Sequence, residues 1–582
     1  MITVEPRRLS SKLARSSFCS DNHAFKFRLL PVITFAAAVL LLLKVNFYSV
    51  DIPYSPDLPV NADSVYGDIF CLVKADACLY ISIWAFLTLF YLLITGQIKI
   101  KRTPIYIPMA VYSAFVLISF ALSDYKSIAW YGTIDRFEGT RTILCYMFML
   151  FYTINVVDEL RDALTVIIPV MVSAFIACII GLTQLAGSDI LVSQLDRIYA
   201  SEAIRLEAGF HQGQVYQTVY NMNYVGMYLT LIIPILIFAV YEGVCFHKNK
   251  TVTVISALLI VLIALNLYGA DSAGGMIGIV AAVVLMAFIF TEKRMVRVLL
   301  TGLSAVAFVG SLAAMYICGA DTIKSIDYFV TGPCSIRTSI DGNELLIEYD
   351  KSTKEYSFYD ADGNALAALP FEEREGNFRL EDSRFKGKFL LIPIDNEGES
   401  IFYFDAYNEE FLFRMDGDEV LYINPYLKNI PLRKVDSAFF KGHLSAGSGR
   451  GYIWSRTIPL LKEHILAGSG ADTFMMEFPQ NDYAGKYSAS FFLTKIIDKP
   501  HSMYLQMIVC TSAVSCIAFI VMIAMFIYEA FRRKDKITVL IAAGVFGFVI
   551  AGLFNDSTVC IMPVFYSFLG IGTGLAYRPL QS

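Results

Sequence analysis

Long apolar stretches alternate with short polar segments along most of this chain. A helix needs about 20 mostly apolar residues to cross the hydrocarbon core of a bilayer. Runs of that length begin near Leu29, Cys78, Pro104, Thr142, Ala163, Tyr224, Val252, Ala273, Val298, Met503, Ile537 and Cys560. The pattern predicts an α-helical polytopic membrane protein with about twelve transmembrane helices.

A different pattern occupies the long polar segment from Gly319 to His501. In its first part, alternating apolar and polar residues, as at 389–394 and 401–404, are separated by turn-forming pairs that are typical of β-hairpins. These pairs are Asp341-Gly342, Asp362-Gly363, Glu397-Gly398 and Asp416-Gly417. We therefore predict an all-β insertion over about residues 328–434, followed by an amphipathic helix from Tyr452 to Leu466.

These patterns divide the chain into three parts. Residues 1–318 form a membrane domain with the first nine helices. Residues 319–501 form a large loop that contains the β insertion. Residues 502–582 return to the membrane with the last three helices.

Basic residues concentrate on alternate connections between the apolar runs. They lie at residues 97–102, 247–250, 293–297 and 532–536, and the amino terminus is basic as well. The positive-inside rule places such segments in the cytoplasm. We therefore expect a multi-pass protein of the cytoplasmic membrane with both termini inside and an extracytoplasmic loop at 319–501.

The bulk composition supports a lipid partner and excludes other classes. The chain has 582 residues, is 56% hydrophobic and has a mean hydropathy of +0.56. A soluble core does not absorb that much apolar sequence. The net charge of -5 gives no indication of a nucleic-acid partner. No Cys and His residues have the spacing of metal ligands, so we expect no metal and no cofactor.

Several arginines in the predicted outer segments run against the positive-inside trend. They are Arg136, Arg205, Arg450 and Arg456. A guanidinium group binds phosphate through a bidentate fork and stays charged. The cluster indicates an anionic ligand such as a diphosphate. The alternative is that each arginine pairs with a nearby acid, such as Asp135, Glu138 or Glu207.

One histidine and two glycines complete the candidate site. His501 directly follows Pro500 at the mouth of an apolar run. An imidazole titrates near neutrality and can accept a proton from a hydroxyl group. The alternative is a capping or interfacial histidine, and His211, His443 and His464 are the other candidates on the outer side. Gly468 and Gly470 suit tight turns or a close backbone approach to a ligand.

Three short motifs carry a family resemblance. They are residues 448–454 (SGRGYIW), 468–474 (GSGADTF) and 501–505 (HSMYL), with weaker support from 220–226 and 554–557. With these motifs the chain resembles the O-antigen ligase and O-antigen polymerase superfamily of bacterial membrane glycosyltransferases. The resemblance implies a C-type glycosyltransferase fold, a catalytic histidine in the large outer loop, a polyprenyl-diphosphate-linked glycan donor, and no metal.

The chain departs from that family at three places. Ser502 stands where the family usually has asparagine, and Ala273 stands where it often has arginine. The β insertion is not part of the common core. The departure at Ala273 puts a diphosphate contact from that position in doubt, so Arg136 or Arg205 is expected to substitute for it.

The sequence therefore predicts an inverting, metal-independent glycan transferase. His501 would be the general base, and Arg450 and Arg456, helped by Arg136 or Arg205, would bind the diphosphate. A ligase-like and a polymerase-like reaction both fit, with a glycan, a lipid or a protein as acceptor. A transporter or flippase of lipid-linked sugars is the main alternative, and a sensor with a ligand-binding β domain is another.

Overall fold

The computed structural model of the protein describes residues 28–37, 48–51, 65–68, 70–191, 213–246, 249–319, 326–370, 378–396, 399–406 and 409–577. These residues form two sets of helices with an antiparallel β region between them in the chain. The structure therefore confirms the predicted combination of apolar helices with an all-β segment.

The first set of helices precedes the β region. It comprises α1 (Arg28–Ala37), α2 (Cys71–Ile94), α3 (Tyr106–Leu122), α4 (Lys126–Tyr131), α5 (Thr140–Val156), α6 (Leu160–Leu185), α7 (Met222–Leu229), α8 (Ile233–Phe246), α9 (Lys250–Ala270), α10 (Ala273–Phe290) and α11 (Arg294–Cys318). A short antiparallel hairpin, β1 (Tyr48–Asp51) and β2 (Val65–Asp68), comes before α2.

The second set of helices follows the β region. It comprises α12 (Ala446–His464), α13 (Phe474–Glu477), α14 (Tyr483–Ser488), α15 (Met503–Thr511), α16 (Ala513–Arg533), α17 (Lys536–Ala551) and α18 (Met562–Ala576). The predicted amphipathic helix at 452–466 corresponds to most of α12. Residues 447–449 at its start are not helical, because all three have positive φ.

Within the described residues, five helices are long and apolar enough to cross a membrane. They are α2, α6, α9, α10 and α16, and the pair α7–α8 makes a sixth if its 47° bend lies within one span. The shorter helices α1, α3, α17 and α18 are also apolar. The helices thus support a membrane protein, and the count of about twelve spans stays a prediction.

The helix α9 shows why lipid is the expected surroundings. Its inward stripe consists of Ser256, Leu259, Ile263, Asn266 and Ala270, spaced at three and four residues. Its mean hydropathy is 2.3, and only 22% of its apolar window is buried. In water such a large exposed apolar surface would be unfavourable, whereas in a bilayer it faces the acyl chains.

Small residues let α10 and α17 pack closely. A Cβ atom on Gly278 would lie 2.5 Å from the carbonyl oxygen of Gly547, and one on Gly547 would lie 2.5 Å from that of Gly278. In a bilayer the hydrophobic effect does not drive helices together, so the van der Waals attraction of such close backbone contact stabilises their packing. The packing fixes the start of α10 near the carboxyl end of α17.

The β region consists of two antiparallel meanders. The first sheet has four strands: β3 (Ile326–Gly332), β4 (Ser335–Ile340), β5 (Asn343–Asp350) and β6 (Glu355–Asp360). The second sheet has seven: β7 (Ala368–Pro370), β8 (Phe378–Leu380), β9 (Leu390–Asn396), β10 (Glu399–Ala406), β11 (Glu409–Asp416), β12 (Glu419–Ile423) and β13 (Asn429–Ile430).

Two of the predicted Xaa-Gly pairs form hairpin turns, and a third makes a turn after β6. Gly342 joins β4 to β5 and Gly417 joins β11 to β12, with φ values of 77° and 56°. Gly363, with φ 78°, turns the chain after β6. Only glycine enters this left-handed region without steric cost, which is why the pairs identify turns. The pair at 397–398 lies outside the described residues.

The two sheets share an aromatic core. The Phe329 ring of β3 lies 5.1 Å from that of Phe404 and 4.8 Å from that of Phe411, measured between centroids. The helix α14 closes the core, since the Tyr483 ring lies 4.7 Å from that of Tyr422. Aromatic pairs at these distances add to the free energy of burial. The β insertion is therefore packed against the segment that follows α12.

The helix α5 separates two groups of charged residues by its length. At its carboxyl end, Lys101 Nζ lies 3.0 Å from Asp158 Oδ1, and Arg28 Nη2 lies 3.5 Å from Asp158 Oδ2. The loop that contains Arg136 ends at the amino end of α5. A helix of 17 residues spans about 25 Å. The basic segment around Lys101 and the loop of Arg136 thus lie far apart.

The side-chain amine of Lys486 in α14 is buried and forms no hydrogen bond with the described residues. Its side chain has no exposed surface. Burial lowers the pKa of Lys486 to about 7, although the nearby Asp482 carboxylate opposes the shift. A buried amine without a hydrogen-bond partner costs about 1–3 kcal/mol.

We expect Lys486→Met to raise the thermal unfolding temperature of the detergent-solubilised protein. Because the native pKa of the lysine is depressed from 10.5 towards 7, the unfolded chain binds more protons between those values, and wild-type stability should rise with pH across that window. The Lys486→Met variant should lose this slope. Lys462→Met, on the exposed face of α12, is the control. An unchanged or lower unfolding temperature for Lys486→Met alone would show that the amine has a partner that stabilises it.

Candidate active site

The loop between α4 and α5 folds back tightly on itself. A Cβ atom on Gly132 would lie 2.6 Å from the backbone nitrogen of Glu138. Asp135 and Phe137 adopt positive φ values of 69° and 47°, which non-glycine residues rarely do. Such conformations persist only where the surrounding structure enforces them, and they concentrate at functional sites. The loop carries Arg136, one of the predicted diphosphate ligands.

Asp472 holds this loop in place. Its Oδ2 accepts hydrogen bonds from the backbone nitrogens of Thr133 (2.8 Å) and Glu138 (3.2 Å). Its Oδ1 lies 2.8 Å from Arg136 Nε. The carboxylate therefore binds the two sides of the loop and its arginine together. Burial raises the pKa of Asp472, and the Arg136 guanidinium opposes that rise.

Gly468 and Gly470 bring Asp472 to this position. Both have positive φ, at 69° and 119°. A Cβ on Gly468 would lie 2.5 Å from the carbonyl oxygen of Cys510, and one on Gly470 would lie 2.5 Å from Ser123 Oγ. Both glycines therefore allow a close approach to other parts of the protein, α15 and the end of α3, and the approach to a ligand stays a prediction.

Arg136 lies among three carboxylates. Its side chain is 2% exposed, and besides Asp472 it faces Glu138 Oε2 at 3.4 Å and Asp556 Oδ1 at 3.9 Å. A cavity of about 30 Å³, enough for about one water molecule, borders this group. One guanidinium cannot neutralise three carboxylates, so Arg136 already has its counterions. This arrangement favours a positioning role, and direct contact of Arg136 with a diphosphate stays a prediction.

Glu138 is a second buried acid of the same group. It accepts hydrogen bonds from the hydroxyls of Tyr146 (3.1 Å) and Ser557. Burial raises its pKa to about 7, against the opposing effects of Arg136 and Ser557. Its hydrogen bonds connect the Arg136 loop with the chain segment before α18.

His501 contacts the same segment through Asp556. Its Nδ1 lies 3.4 Å from Asp556 Oδ2, and Asp556 Oδ1 accepts a 3.1 Å hydrogen bond from the backbone nitrogen of Ser502. A carboxylate beside Nδ1 favours the tautomer that carries the proton there, which leaves Nε2 as the basic nitrogen. Among the described residues, none forms a hydrogen bond or an ion pair with His501 Nε2.

His501 is neutral and partly exposed. Its side chain is 29% exposed, and its φ of 51° again lies in the left-handed region. Burial lowers the pKa of His501, and the nearby Arg450 and Lys499 cations lower it further, to about 3. The imidazole is therefore neutral at physiological pH, and its low pKa makes it a weaker proton acceptor than an unperturbed histidine.

Arg450 is held by carbonyl groups. Its Nε and Nη2 donate to the carbonyl oxygen of Phe554 at 3.1 and 3.0 Å, and its Nη1 donates to that of Gly447 at 2.8 Å. A guanidinium has five N–H donors, so two remain after these three bonds. In the described part of the chain no carboxylate forms an ion pair with Arg450. Its charge is fixed in position without being neutralised.

Two glycines at the start of the 448–454 motif, one just before it and one inside it, make this position possible. Gly447 and Gly449 have positive φ, and a Cβ on Gly449 would lie 2.2 Å from the ring of Phe491. The turn directs the Gly447 carbonyl towards the Arg450 guanidinium. Further along the same helix, Trp454 Nε1 donates a 2.7 Å hydrogen bond to the carbonyl of Pro500, next to His501.

The other predicted site residues lie elsewhere. Arg456 is buried, its Nε lies 2.8 Å from Asp482 Oδ2, and its guanidinium faces the Tyr452 ring. It therefore points to the interface with the β insertion. Arg205 lies outside the described residues. Of the alternative histidines, His464 Nε2 lies 3.3 Å from Glu477 Oε2, His443 stacks on Tyr316, and His211 is outside the described residues.

The remaining motif segments converge on the same place. A Cβ on Gly274 would lie 2.6 Å from Asn555 Nδ2, and one on Gly226 would lie 2.8 Å from Ser272 Oγ. The 220–226 and 554–557 segments and the start of α10 are thus in direct contact. Ala273, where the resembled family often has arginine, lies in this contact region.

Metal ligation has little support in this group. Within the described ranges no three His, Cys, Asp or Glu side chains are arranged to hold a metal ion. The acids are bound instead by cations and backbone groups, as Asp498 Oδ2 is by Lys499 Nζ at 3.1 Å. Lys499 also faces the Tyr220 ring.

The sequence analysis named Glu138 as an acid that could pair with the arginines of the outer segments, and Glu138 does face Arg136. It missed the roles of Asp472 and Asp556, although both lie inside the motifs that carry the family resemblance. A signal did exist, because an arginine expected near apolar runs needs carboxylate partners once it is buried. The sequence did not indicate which acids more than 300 residues away in the chain would contact Arg136.

If His501 acts as a general base oriented by Asp556, we expect Asp556→Asn to reduce turnover about 10- to 100-fold while the protein stays folded. The amide keeps an acceptor for the Ser502 backbone and loses the charge beside His501 Nδ1, so the wrong tautomer gains population. The measurement is the pH dependence of kcat in the variant and the wild type. Asp362→Asn, in an exposed turn of the β insertion, is the control. Equal kcat at every pH for Asp556→Asn would assign Asp556 to structure alone.

Comparisons with models of protein families, with curated proteins and with solved structures find no match.

Proposed function

We propose that the protein transfers a glycan from a polyprenyl diphosphate to an acceptor hydroxyl at the outer face of the cytoplasmic membrane. The arrangement of His501 and Arg450 carries the proposal. A neutral imidazole and an arginine without a carboxylate partner lie on neighbouring segments, and both segments contact residues 554–556. A proton acceptor and a fixed positive charge are the two groups that this reaction requires.

The reaction follows from these two roles. His501 Nε2 takes the proton from the acceptor hydroxyl, and the oxygen attacks the anomeric carbon of the sugar attached to the diphosphate. The bond between that carbon and the phosphate oxygen breaks, and the polyprenyl diphosphate leaves with the electron pair and one more negative charge. The two remaining N–H groups of Arg450 would stabilise that charge. A single displacement inverts the anomeric configuration.

The apolar helices and the charge pattern support the placement. Lipid-facing helices bring the protein to the bilayer in which a polyprenyl chain is dissolved. The Arg136 loop and the basic segment around Lys101 lie at opposite ends of α5, and the positive-inside rule assigns the basic end to the cytoplasm. On this reasoning, His501 and Arg450 lie at the outer surface. The C-type glycosyltransferase fold stays what the family resemblance implies.

The test is turnover by the purified protein in detergent, where no compartments exist. A polyprenyl-diphosphate-linked oligosaccharide and an acceptor glycan are supplied, and released polyprenyl diphosphate is measured with and without EDTA. We expect product formation that chelation does not reduce. Absence of turnover with every acceptor, together with movement of the lipid-linked sugar between leaflets of a vesicle, would favour the transporter alternative instead.

A further inference from the structure

A polar cleft of about 640 Å³ lies between the β insertion and α12. Its walls are β3, the turn at 341–344, the segment at 432–444, Arg456 and the start of α14. This volume lies in the range of small-molecule and oligosaccharide sites. The cleft does not include His501 or Arg450, so it is separate from the candidate active site.

Phe439 and Tyr328 are among the aromatic residues that line the cleft. Phe439 is 78% exposed, and it and Phe440 both have positive φ, at 60° and 53°. A pair of left-handed non-glycine residues is costly, and here it keeps a large apolar ring in solvent. Tyr328 is half-buried, and Lys434 Nζ lies 4.3 Å from the centroid of its ring. The exposed ring of Phe439 offers an apolar face against which a sugar ring can pack.

The charges of the lining balance. Four cations, Arg433, Lys434, Lys441 and Arg456, accompany four acids, Asp327, Asp341, Glu344 and Asp482, for a net charge of 4 − 4 = 0. The basic side chains at 433–441 carry hydrogen-bond donors. The carboxylates of the β insertion carry acceptors, some of which already bind protein groups, as Asp341 binds Lys388 and Glu344 binds the Tyr328 hydroxyl. A ligand with many hydroxyl groups needs both kinds of partner and brings no charge of its own.

A row of aromatic rings connects this cleft with the catalytic candidates. Phe440 lies 6.1 Å from Trp454, and Trp454 lies 6.5 Å from Phe554, measured between ring centroids. Trp454 also binds the carbonyl of Pro500, and the carbonyl of Phe554 binds Arg450. These contacts link the segment that borders the cleft to the segments of His501 and Arg450.

We propose that the cleft is the acceptor subsite and that it binds an uncharged, polyhydroxylated glycan. The acceptor role of the bound glycan rests on the proposed transferase function. The binding of a glycan rests on the cleft alone. The β insertion, which contributes one wall, then selects the acceptor. Because the lining is neutral, binding should depend little on salt.

The test is binding of four neutral hexasaccharides, of the glucose, mannose, galactose and N-acetylglucosamine types, to the full chain in detergent. A galacturonate hexasaccharide is the charged comparison. We expect at least one neutral hexasaccharide to bind with a Kd that changes less than about threefold between roughly 50 and 500 mM salt. Phe439→Ala and Lys441→Gln should each weaken that binding about tenfold or more.

Leu427→Ala is the matched control, because Leu427 is 82% exposed, has a φ of 59° and does not line the cleft. Failure of all four neutral hexasaccharides to bind, tighter binding of the galacturonate, or equal effects of Phe439→Ala and Leu427→Ala would overturn the inference. His501→Ala should bind as the wild type does. If a neutral hexasaccharide binds the cleft but the protein shows no turnover, only the transferase proposal is contradicted. If the protein shows turnover but nothing binds the cleft, only the present inference is contradicted.

Discussion

Replacing His501 with alanine is expected to reduce glycan transfer by about a hundred- to ten-thousand-fold, the usual cost of losing a general base. Donor binding should stay nearly intact, because the imidazole contacts Asp556 and no phosphate ligand. The change removes a proton acceptor whose φ of 51° and neighbouring carboxylate fix it in one orientation. Transfer kinetics beside a donor-binding assay separate the two effects.

The pH profile gives a second readout for His501. Because burial and nearby cations lower its pKa from 6.5 to about 3, the imidazole is neutral well below pH 6.5, and kcat should persist in mild acid and fall only as the pH approaches that lowered value. His464→Ala is the control, since that histidine pairs with Glu477 and lies outside the site. A large loss for His464→Ala with near-normal kcat for His501→Ala would show that the base is assigned wrongly, and Glu138 and Asp498 would become candidates.

Replacing Arg450 with alanine is expected to impair both donor affinity and kcat, with a loss in kcat of about a hundred- to a thousand-fold. The diphosphate carries charge in the ground state and gains charge as it leaves, so the fixed guanidinium acts at both stages. Arg450→Lys should restore part of the activity, because an ammonium keeps the charge and loses the geometry that bonds Phe554 and Gly447.

The Arg450 variant should also shift the pH profile. After burial, Arg450 is the cation that most lowers the pKa of His501, so its removal should move the acid limb of kcat to higher pH. Arg337→Ala, on the exposed side of β4, is the control and should change neither parameter. Full kcat and unchanged donor affinity for Arg450→Ala would mean that the arginine only joins the backbone segments it contacts.

Hydrophobic patterning identified where helices lie and missed where they break. The apolar run from Met503 was predicted as one span, yet Ser512, with φ 98°, divides it into α15 and α16. The run from Tyr224 is likewise divided into α7 and α8 by a 47° bend. Hydropathy averages over such breaks because the residues on both sides are equally apolar, and contacts with other helices decide the bend.

The β insertion was more predictable than the membrane part. Glycine in the left-handed region identifies turns at 342, 363 and 417 directly, and alternation between them fixes strand faces. What the sequence could not give is the packing of the two sheets on α14, because Phe329, Phe411 and Tyr483 meet only in three dimensions.

The candidate site was predictable only in part. The motif residues His501 and Arg450 both contact the 554–556 segment, a meeting point that the sequence did not indicate. Arg456 was predicted to bind the diphosphate together with Arg450, but a separation of six positions along a helix places two side chains about 120° apart around the axis. Its partner Asp482 could not be identified from spacing.

A single-turnover reaction with a donor of known anomeric configuration is the most direct test of the proposed transfer. We predict one released polyprenyl diphosphate for each new glycosidic bond, with inverted configuration at the transferred sugar, as read by nuclear magnetic resonance. Retained configuration would require a covalent enzyme intermediate and would contradict a direct displacement with His501 as base. Release of polyprenyl diphosphate without a new bond would contradict transfer itself.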